Sequence, residues 1–173
     1  MQMPTPVENL HSVAQRMDIP RLSTNELLQT FAAILEELRT RDISRSSNNP
    51  AADYTEWLVC SKLRLRRQPN SNAGFDAISE DGTKFEIKAR RMTPHNSSVQ
   101  LSAIRNLEAK HFDYLVGVVY EADFSIPYAA KVPHAVIKPN STYSEYANSR
   151  IFHLSPKILG LSAVDYITGV LAN

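Results

Sequence analysis

The sequence predicts an α/β domain: a mixed central β-sheet flanked by helices and preceded by an N-terminal helical extension. Three observations carry that expectation. Apolar residues recur at helical spacing in two segments before residue 64, the period drops to two between residues 63 and 90, and Tyr114 to Tyr120 reads as a buried strand. Helices therefore precede and follow a nearly consecutive run of strands, the pattern of a sheet covered by helices. A chain of 173 residues, 43% hydrophobic and 21% charged, suits one ordinary domain.

Residues 1–22 show no clean period and contain Pro4, Pro6 and Pro20, so they read as an arm. Ser23 and Glu26 have the spacing of a capping box, and Leu27, Leu28, Phe31, Ile34, Leu35 and Leu38 keep one helical face to about Arg41. Arm and helix form an extension, residues 1–43, ahead of the main domain, residues 44–173. Ile43 to Asn49 is a polar connection. Asn49-Pro50 then supplies an N-cap and a proline suited to the first turn of a second helix, which runs to about Leu63. Leu63, Leu65 and Arg67 alternate with bases, Phe75 to Ser79 is a short strand, and Lys84 to Arg90 sets Phe85, Ile87 and Ala89 against Glu86, Lys88 and Arg90. After a polar loop around Met92 to Ser98, strands are expected at Phe112 to Tyr120, Tyr128 to Val132 and Ile151 to Leu154. Ser162 to Leu171 reads as a closing helix.

Several classes of chemistry are excluded. The single cysteine, Cys60, allows neither an internal disulfide framework nor a cysteine-based zinc site, so a reducing cytoplasm is the default compartment. The longest uncharged apolar run, Tyr114 to Tyr120, is far short of the roughly 20 residues that cross a bilayer, and no membrane partner is expected. Met1 to Pro20 carries Glu8, Arg16 and Asp18 and lacks the apolar core of a secretory signal. The five glycines are too dispersed for a phosphate-binding loop, and the five histidines include no pair four residues apart. Cys60 sits mid-helix beside Val59 and Leu63, which favours packing over nucleophilic chemistry.

The informative segment is Gly74-Phe75-Asp76-Ala77-Ile78, a turn, and Lys84-Phe85-Glu86-Ile87-Lys88. Residues two apart on a strand share a face, so Glu86 and Lys88 project together, away from Phe85 and Ile87. A two-residue turn would set Asp76 opposite Ile87 among core side chains. A three-residue loop, with Glu80 and Asp81 in a type I turn and Gly82 left-handed, pairs 79 with 83, 77 with 85 and 76 with 86. An apolar core face and avoidance of a lone buried charge both select the second register. Opposed carboxylates about 5 Å apart repel unless a cation lies between them, and oxygen-only ligands favour Mg²⁺ or Mn²⁺. A solvated Asp/Glu/Lys ladder is the bland alternative. Glu56 bears on that choice, because it occupies the stripe of Val59, Cys60 and Leu63 on the second helix, where a carboxylate calls for a partner: a core arginine or a nearby acidic site.

Net charge is +1, yet Lys62 to Arg91 holds eight of the 19 basic residues and four of the 18 acidic ones. A basic band on a neutral protein results, which reads as a solvated face unless a site lies nearby.

These residues resemble the PD-(D/E)xK nuclease superfamily, the restriction-endonuclease-like fold, whose core runs helix, strand, hairpin carrying Asp and Glu-x-Lys, helix, strand. The match is Glu56 on the preceding helix, Asp76 at the start of the hairpin and Glu86-Ile87-Lys88 on the next strand, within about residues 50–120; the family's proline before the aspartate is here Phe75. The resemblance implies hydrolysis of DNA phosphodiesters, with Asp76, Glu86 and the Ile87 main-chain carbonyl holding Mg²⁺ or Mn²⁺. Lys88 would orient or activate the attacking water and Glu56 would assist. Lys62, Arg64, Arg66, Arg67, Arg90 and Arg91 are expected at phosphates; Asn96 and Gln100, with Arg91 and His95, are the candidates for base edges, in a stretch that reads equally as a solvated loop. The first expectation is a restriction or related defence endonuclease acting on double-stranded DNA as a homodimer, paired through the helix after Ser23. A non-catalytic binding or assembly subunit and a repair or junction-resolving nuclease stand beside it.

Overall fold

The computed structural model describes Leu10 and residues 17–46, 49–69 and 74–172, so most of the predicted arm lies outside the described residues. Helix α1 (Thr24–Thr40) starts at the predicted box: the Ser23 N–H donates to Glu26 Oε2 at 2.8 Å and the Glu26 N–H to Ser23 Oγ at 3.4 Å. None of its residues is buried. Helix α2 (Ala51–Leu63) begins where Asn49 Oδ1 accepts from the Ala51 N–H, and ends at Arg64, which turns into the left-handed region at φ 54°.

The remaining elements are β1 (Arg66–Arg67), β2 (Ala77–Ile78), β3 (Lys84–Arg91), β4 (Tyr114–Tyr120), β5 (Tyr128–Pro133), α3 (His134–Ile137), β6 (Ser141–Ser144), β7 (Ser149–Phe152), α4 (Pro156–Leu159), β8 (Asp165–Tyr166) and α5 (Thr168–Ala172). Six strands form a mixed sheet in the order β1-β2-β3-β4-β5-β8, in which only β3 and β4 are parallel. Strands β6 and β7 form a separate hairpin. Among the described residues no helix is long and apolar enough to cross a membrane.

Both faces of the sheet are covered, which is why β4 reads as an unbroken apolar run. On one face Val116, Val118 and Tyr120 join Phe85 and Ile87 against Leu58, Val59 and Cys60 of α2. On the other, Leu115 and Val119 join Ala130 and Val132 against Leu101, Ile104, Leu107, Phe152 and Leu154. The Cys60 thiol is buried, and burial pushes it up to about 11, so it packs rather than reacts.

Two expectations need correction. A helix is implied between the Glu-x-Lys strand and β4, but the crossover at residues 92–113 holds only a single 3₁₀ turn, Leu107–Ala109. Its backbone pairs with the hairpin instead: the Leu101 N–H donates to the Phe152 carbonyl, and Ile104 and Arg150 exchange two bonds at 3.2 and 2.8 Å. This extended layer lies so close to β4 that a Cβ on Gly117 would stand 2.7 Å from Leu101 Cδ1. The closing helix of Ser162 to Leu171 shrinks to α5, because Asp165 and Tyr166 pair with Lys131 and Ala130 at the open edge of β5. An unpaired sheet edge outcompetes a short, glycine-containing helix.

The two-sided core makes a direct prediction. Leu115→Ala, at a fully buried position, should lower the unfolding free energy by about 2–5 kcal/mol in urea titrations; a loss under about 1 kcal/mol would mean that the second layer does not pack on β4.

Candidate functional site

The site starts from the hairpin. Ala77 pairs with Phe85 and Ile78 with Lys84, and the three-residue loop closes as expected, with the Ser79 N–H donating to Thr83 O, the Gly82 N–H to Ser79 O, and Gly82 at φ 88°. The predicted pairing of Asp76 opposite Glu86 is not made. The ladder stops at Ala77: the Asp76 N–H turns to the Phe85 carbonyl at 2.8 Å, and Asp76 Oδ2 accepts the Ile87 N–H at 2.7 Å. A side chain has taken the place of the next backbone rung, which ends β2 and leaves the carboxylate beside β3.

Asp76 lines two hollows. The first, about 240 Å³, also contains Glu86 and Lys88, facing Ala103, Arg105, Asn106 and His111 of the crossover. Glu86 and Lys88 form an ion pair, with side chains only 15% and 19% exposed, so the expected solvent-facing ladder is half-buried instead. The register of β3 on β4 explains this: Glu86 lies beside Leu115 and Lys88 beside Gly117, on the face that the crossover covers. Burial pushes the Glu86 carboxyl above the ordinary carboxylate range; Lys88 opposes that, while Asp76 and Glu56 add to it.

The second hollow, about 230 Å³, is lined by Arg45, Ser46, Asp53, Glu56, Gln68 and Asp76. Glu56 has both of the partners that its place on α2 allows. Arg45 forms an ion pair with it, and Arg67 Nε lies 3.3 Å from its Oε2. Burial raises the Glu56 carboxyl, and the Asp76 charge raises it further, against the pull of Arg45 and Arg67. Asp53, one turn earlier, is a different case: its Oδ2 accepts from the Ser44 and Ser46 hydroxyls and from the Arg45 and Ser46 N–H groups. Burial alone would raise Asp53, but these bonds outweigh it and hold the carboxyl low.

The basic band divides in two. Lys62, Arg64 and Arg66 are exposed. Three others are engaged within the protein. Arg67 is committed to Glu56, Asp53 and the carbonyls of Asp42, Ile43 and Asp53. Arg90 donates to Ser98 O at 3.1 Å, and Arg91 donates to Ala122 O while stacking on Phe124 at 4.7 Å. Asn96 is exposed, with Oδ1 accepting the Ser98 N–H, and Gln100 is half-buried in a bridge with His153. Sequence reasoning missed Arg45, Arg105, Asn106 and His111, which lie in stretches without periodicity; the demand of Glu56 for a cation pointed only to the existence of an arginine like Arg45.

Among the described residues, no three histidine, cysteine or acidic side chains converge into a closed metal cage. Compared with protein-family models, the chain matches none. Compared with curated proteins, it likewise matches none.

Asp76 raises both glutamates, so Asp76→Asn, which keeps an acceptor for the Ile87 N–H, should lower the titration midpoints of Glu56 and Glu86 in ¹³C carboxyl NMR. Midpoints that stay put would place Asp76 outside electrostatic range. The linked stability has a fixed sign: a carboxyl raised in the folded state favours folding below its unfolded value of about 4.3 and opposes it increasingly as pH climbs through the folded value. Asp76→Asn should therefore weaken this loss of stability with rising pH.

Proposed function

We propose that the protein is a metal-dependent nuclease that hydrolyses DNA phosphodiesters at the hollow shared by Asp76, Glu86 and Lys88. The observation that carries this reading is the clustering itself. Two carboxylates and a lysine occupy one small concave site on the sheet, a third carboxylate lies across Asp76, and the two glutamates are both held above their ordinary range. The donor set fits Mg²⁺ or Mn²⁺: Asp76 and Glu86 offer oxygen only, and two carboxylates leave positions for water and substrate oxygens, the usual habit of Mg²⁺. The Ile87 carbonyl, next to the N–H that Asp76 accepts, completes the proposed set. Such an ion, when bound, neutralises charge on a phosphoryl group and makes a bound water more acidic.

The chain's own residues supply the rest. Lys88 exchanges its Glu86 partner for the substrate phosphate or the attacking water, which it orients. Glu56, clamped by Arg45 and Arg67, supports the site from the neighbouring hollow through the charge that it sets against Asp76. Exposed Lys62, Arg64 and Arg66 bind backbone phosphates. Because Arg67, Arg90 and Arg91 are occupied, the phosphate track is shorter than the sequence alone suggests.

Purified protein should nick supercoiled plasmid with Mg²⁺ and not with EDTA. Asp76→Ala, Glu86→Ala and Lys88→Ala should each lower the rate on the order of a hundredfold or more, with DNA affinity largely kept. Retained binding with no cleavage by the native protein would favour the non-catalytic subunit, and undiminished nicking by Asp76→Ala would rule out the site.

A homodimer is part of the proposal. The apolar face of α1 stays open on the single chain, with Leu28, Phe31 and Ile34 64, 55 and 45% exposed. It borders a groove of about 610 Å³ that continues to Tyr54 and Phe124. One site cuts one strand, and a two-fold pair would supply two sites at a fixed spacing. Light scattering should give the mass of a dimer for the native chain and of a monomer for Phe31→Glu. A native monomer at micromolar concentration would remove α1 from that role.

A further inference from the structure

Arg105 differs from the other cations near the proposed site. It lines the hollow of Asp76, Glu86 and Lys88 from the crossover, on the wall that faces β3. Lys88 is paired with Glu86, Arg67 with Glu56, and Arg90 and Arg91 donate to main-chain carbonyls. Arg105 is exposed, and among the described residues its guanidinium has neither an ion pair nor a hydrogen bond. The backbone that carries it is nevertheless fixed. Ile104 exchanges two main-chain bonds with Arg150, and Ile104 and Leu107 are buried in the core on either side. Between them Asn106 turns into the left-handed region at φ 50°, and its carbonyl accepts the Ala109 N–H. Ala103 and Arg105, two apart on the extended chain, both line the hollow, while Ile104 joins the core.

A permanently charged guanidinium is thus held at the edge of a hollow with two carboxylates and pairs with neither of them. Asp76 Oδ2 already accepts the Ile87 N–H, and Glu86 already holds Lys88. The donors of Arg105 remain for an anion that enters from outside, and their planar fork matches the two non-bridging oxygens of a phosphodiester. We infer that Arg105 is a substrate-binding residue of the proposed reaction, gripping the phosphodiester in the hollow from the wall opposite Glu86 and Lys88. The inference rests on the phosphodiester reading for the identity of the anion. It also divides the work between the two cations: with the phosphate on Arg105, Lys88 is left for the attacking water. Arg105 keeps its proton throughout and contributes position and charge alone.

The test follows the guanidinium itself. Full-length ¹⁵N-labelled protein, with Ca²⁺ in place of Mg²⁺ to hold off cleavage, is titrated with a short DNA duplex and, separately, with heparin as a polyanion without phosphodiesters. The Nε–Hε signal that disappears in Arg105→Lys should shift saturably with the duplex and stay in place with heparin. Arg105→Ala should weaken duplex binding roughly tenfold and, in Mg²⁺, lower kcat/KM for nicking on the order of tenfold to a hundredfold. Arg105→Lys should recover much of the affinity and little of the rate, because it keeps the charge and loses the fork. Neither variant removes an ion pair or hydrogen bond of the fold, so both should keep the native urea midpoint. An unmoved Arg105 signal, an equal shift with heparin, or native affinity and rate in Arg105→Ala would each overturn the inference. Native nicking that survives Arg105→Ala undiminished would defeat this inference alone; a duplex-specific Arg105 shift and weakened binding without any nicking by the native protein would defeat the nuclease reading and leave the phosphate grip standing.

Discussion

The 2.7 Å bond from the Ile87 N–H to Asp76 Oδ2 sets the geometry on which the candidate site depends. Strand β3 needs an acceptor for that N–H, because its other edge is already paired with β4. Had β2 continued, a backbone carbonyl would have served and Asp76 would have been one more strand residue. The carboxylate serves instead, so the ladder ends at Ala77 and the chain diverges from β3. The gap on one side holds Glu86 and Lys88, and on the other Glu56. A single charge-assisted bond thus ends a strand, fixes an acidic side chain and divides two hollows.

The arginines belong to the same logic. Residues 44–46 fold over α2 because Asp53, buried on its first turn, needs donors, and the serines and amides of that stretch provide four. Docking there brings Arg45 to Glu56, and Arg67 comes to the same carboxylate from β1 while bonding the carbonyls of Asp42 and Ile43. Arg67 joins the end of the N-terminal extension to the sheet. That role removes it from the surface, as the main-chain carbonyls of Ser98 and Ala122 do for Arg90 and Arg91.

What the sequence made legible was whatever local periodicity or turn chemistry controls. The capping box at Ser23, the two-residue period of β3 and the Glu80-Asp81-Gly82 loop appear where the residues place them, while the cap of α2 falls at Pro50, one residue after the expected Asn49. The face and neighbours of Glu86 and Lys88 followed only in part, since alternation says which residues share a face but not what covers it. The cover is the crossover, whose Leu101, Ile104 and Leu107 lie three residues apart and carry no strand-like alternation; it becomes extended only by pairing with β7, about 50 residues later. Such long-range pairing leaves no trace in a local window. The same holds for β8, which forms because β5 has an open edge, and for Asp76, whose departure from the ladder is decided by an N–H on another strand.

One contrast separates framework from candidate chemistry in this chain. Asp53 and Glu56 lie one turn apart on the same helix, and both are largely covered. Asp53 is surrounded by donors, its charge is stabilised, and its carboxyl is held low. Glu56 has two arginines and is still held high, because burial and the Asp76 charge outweigh them; Glu86 is held high by burial and Asp76 despite Lys88. Each glutamate is also the counter-charge of a half-buried cation, Glu56 of Arg45 and Arg67 and Glu86 of Lys88, and what those pairs leave uncompensated is the repulsion from Asp76. A divalent cation between Asp76 and Glu86 would reverse the sign of the interaction, turning mutual repulsion into shared ligation. The proposed metal-dependent hydrolysis rests on this contrast: the same helix that satisfies Asp53 with four donors leaves Glu56 and, across Asp76, Glu86 with a repulsion that a bound cation would remove.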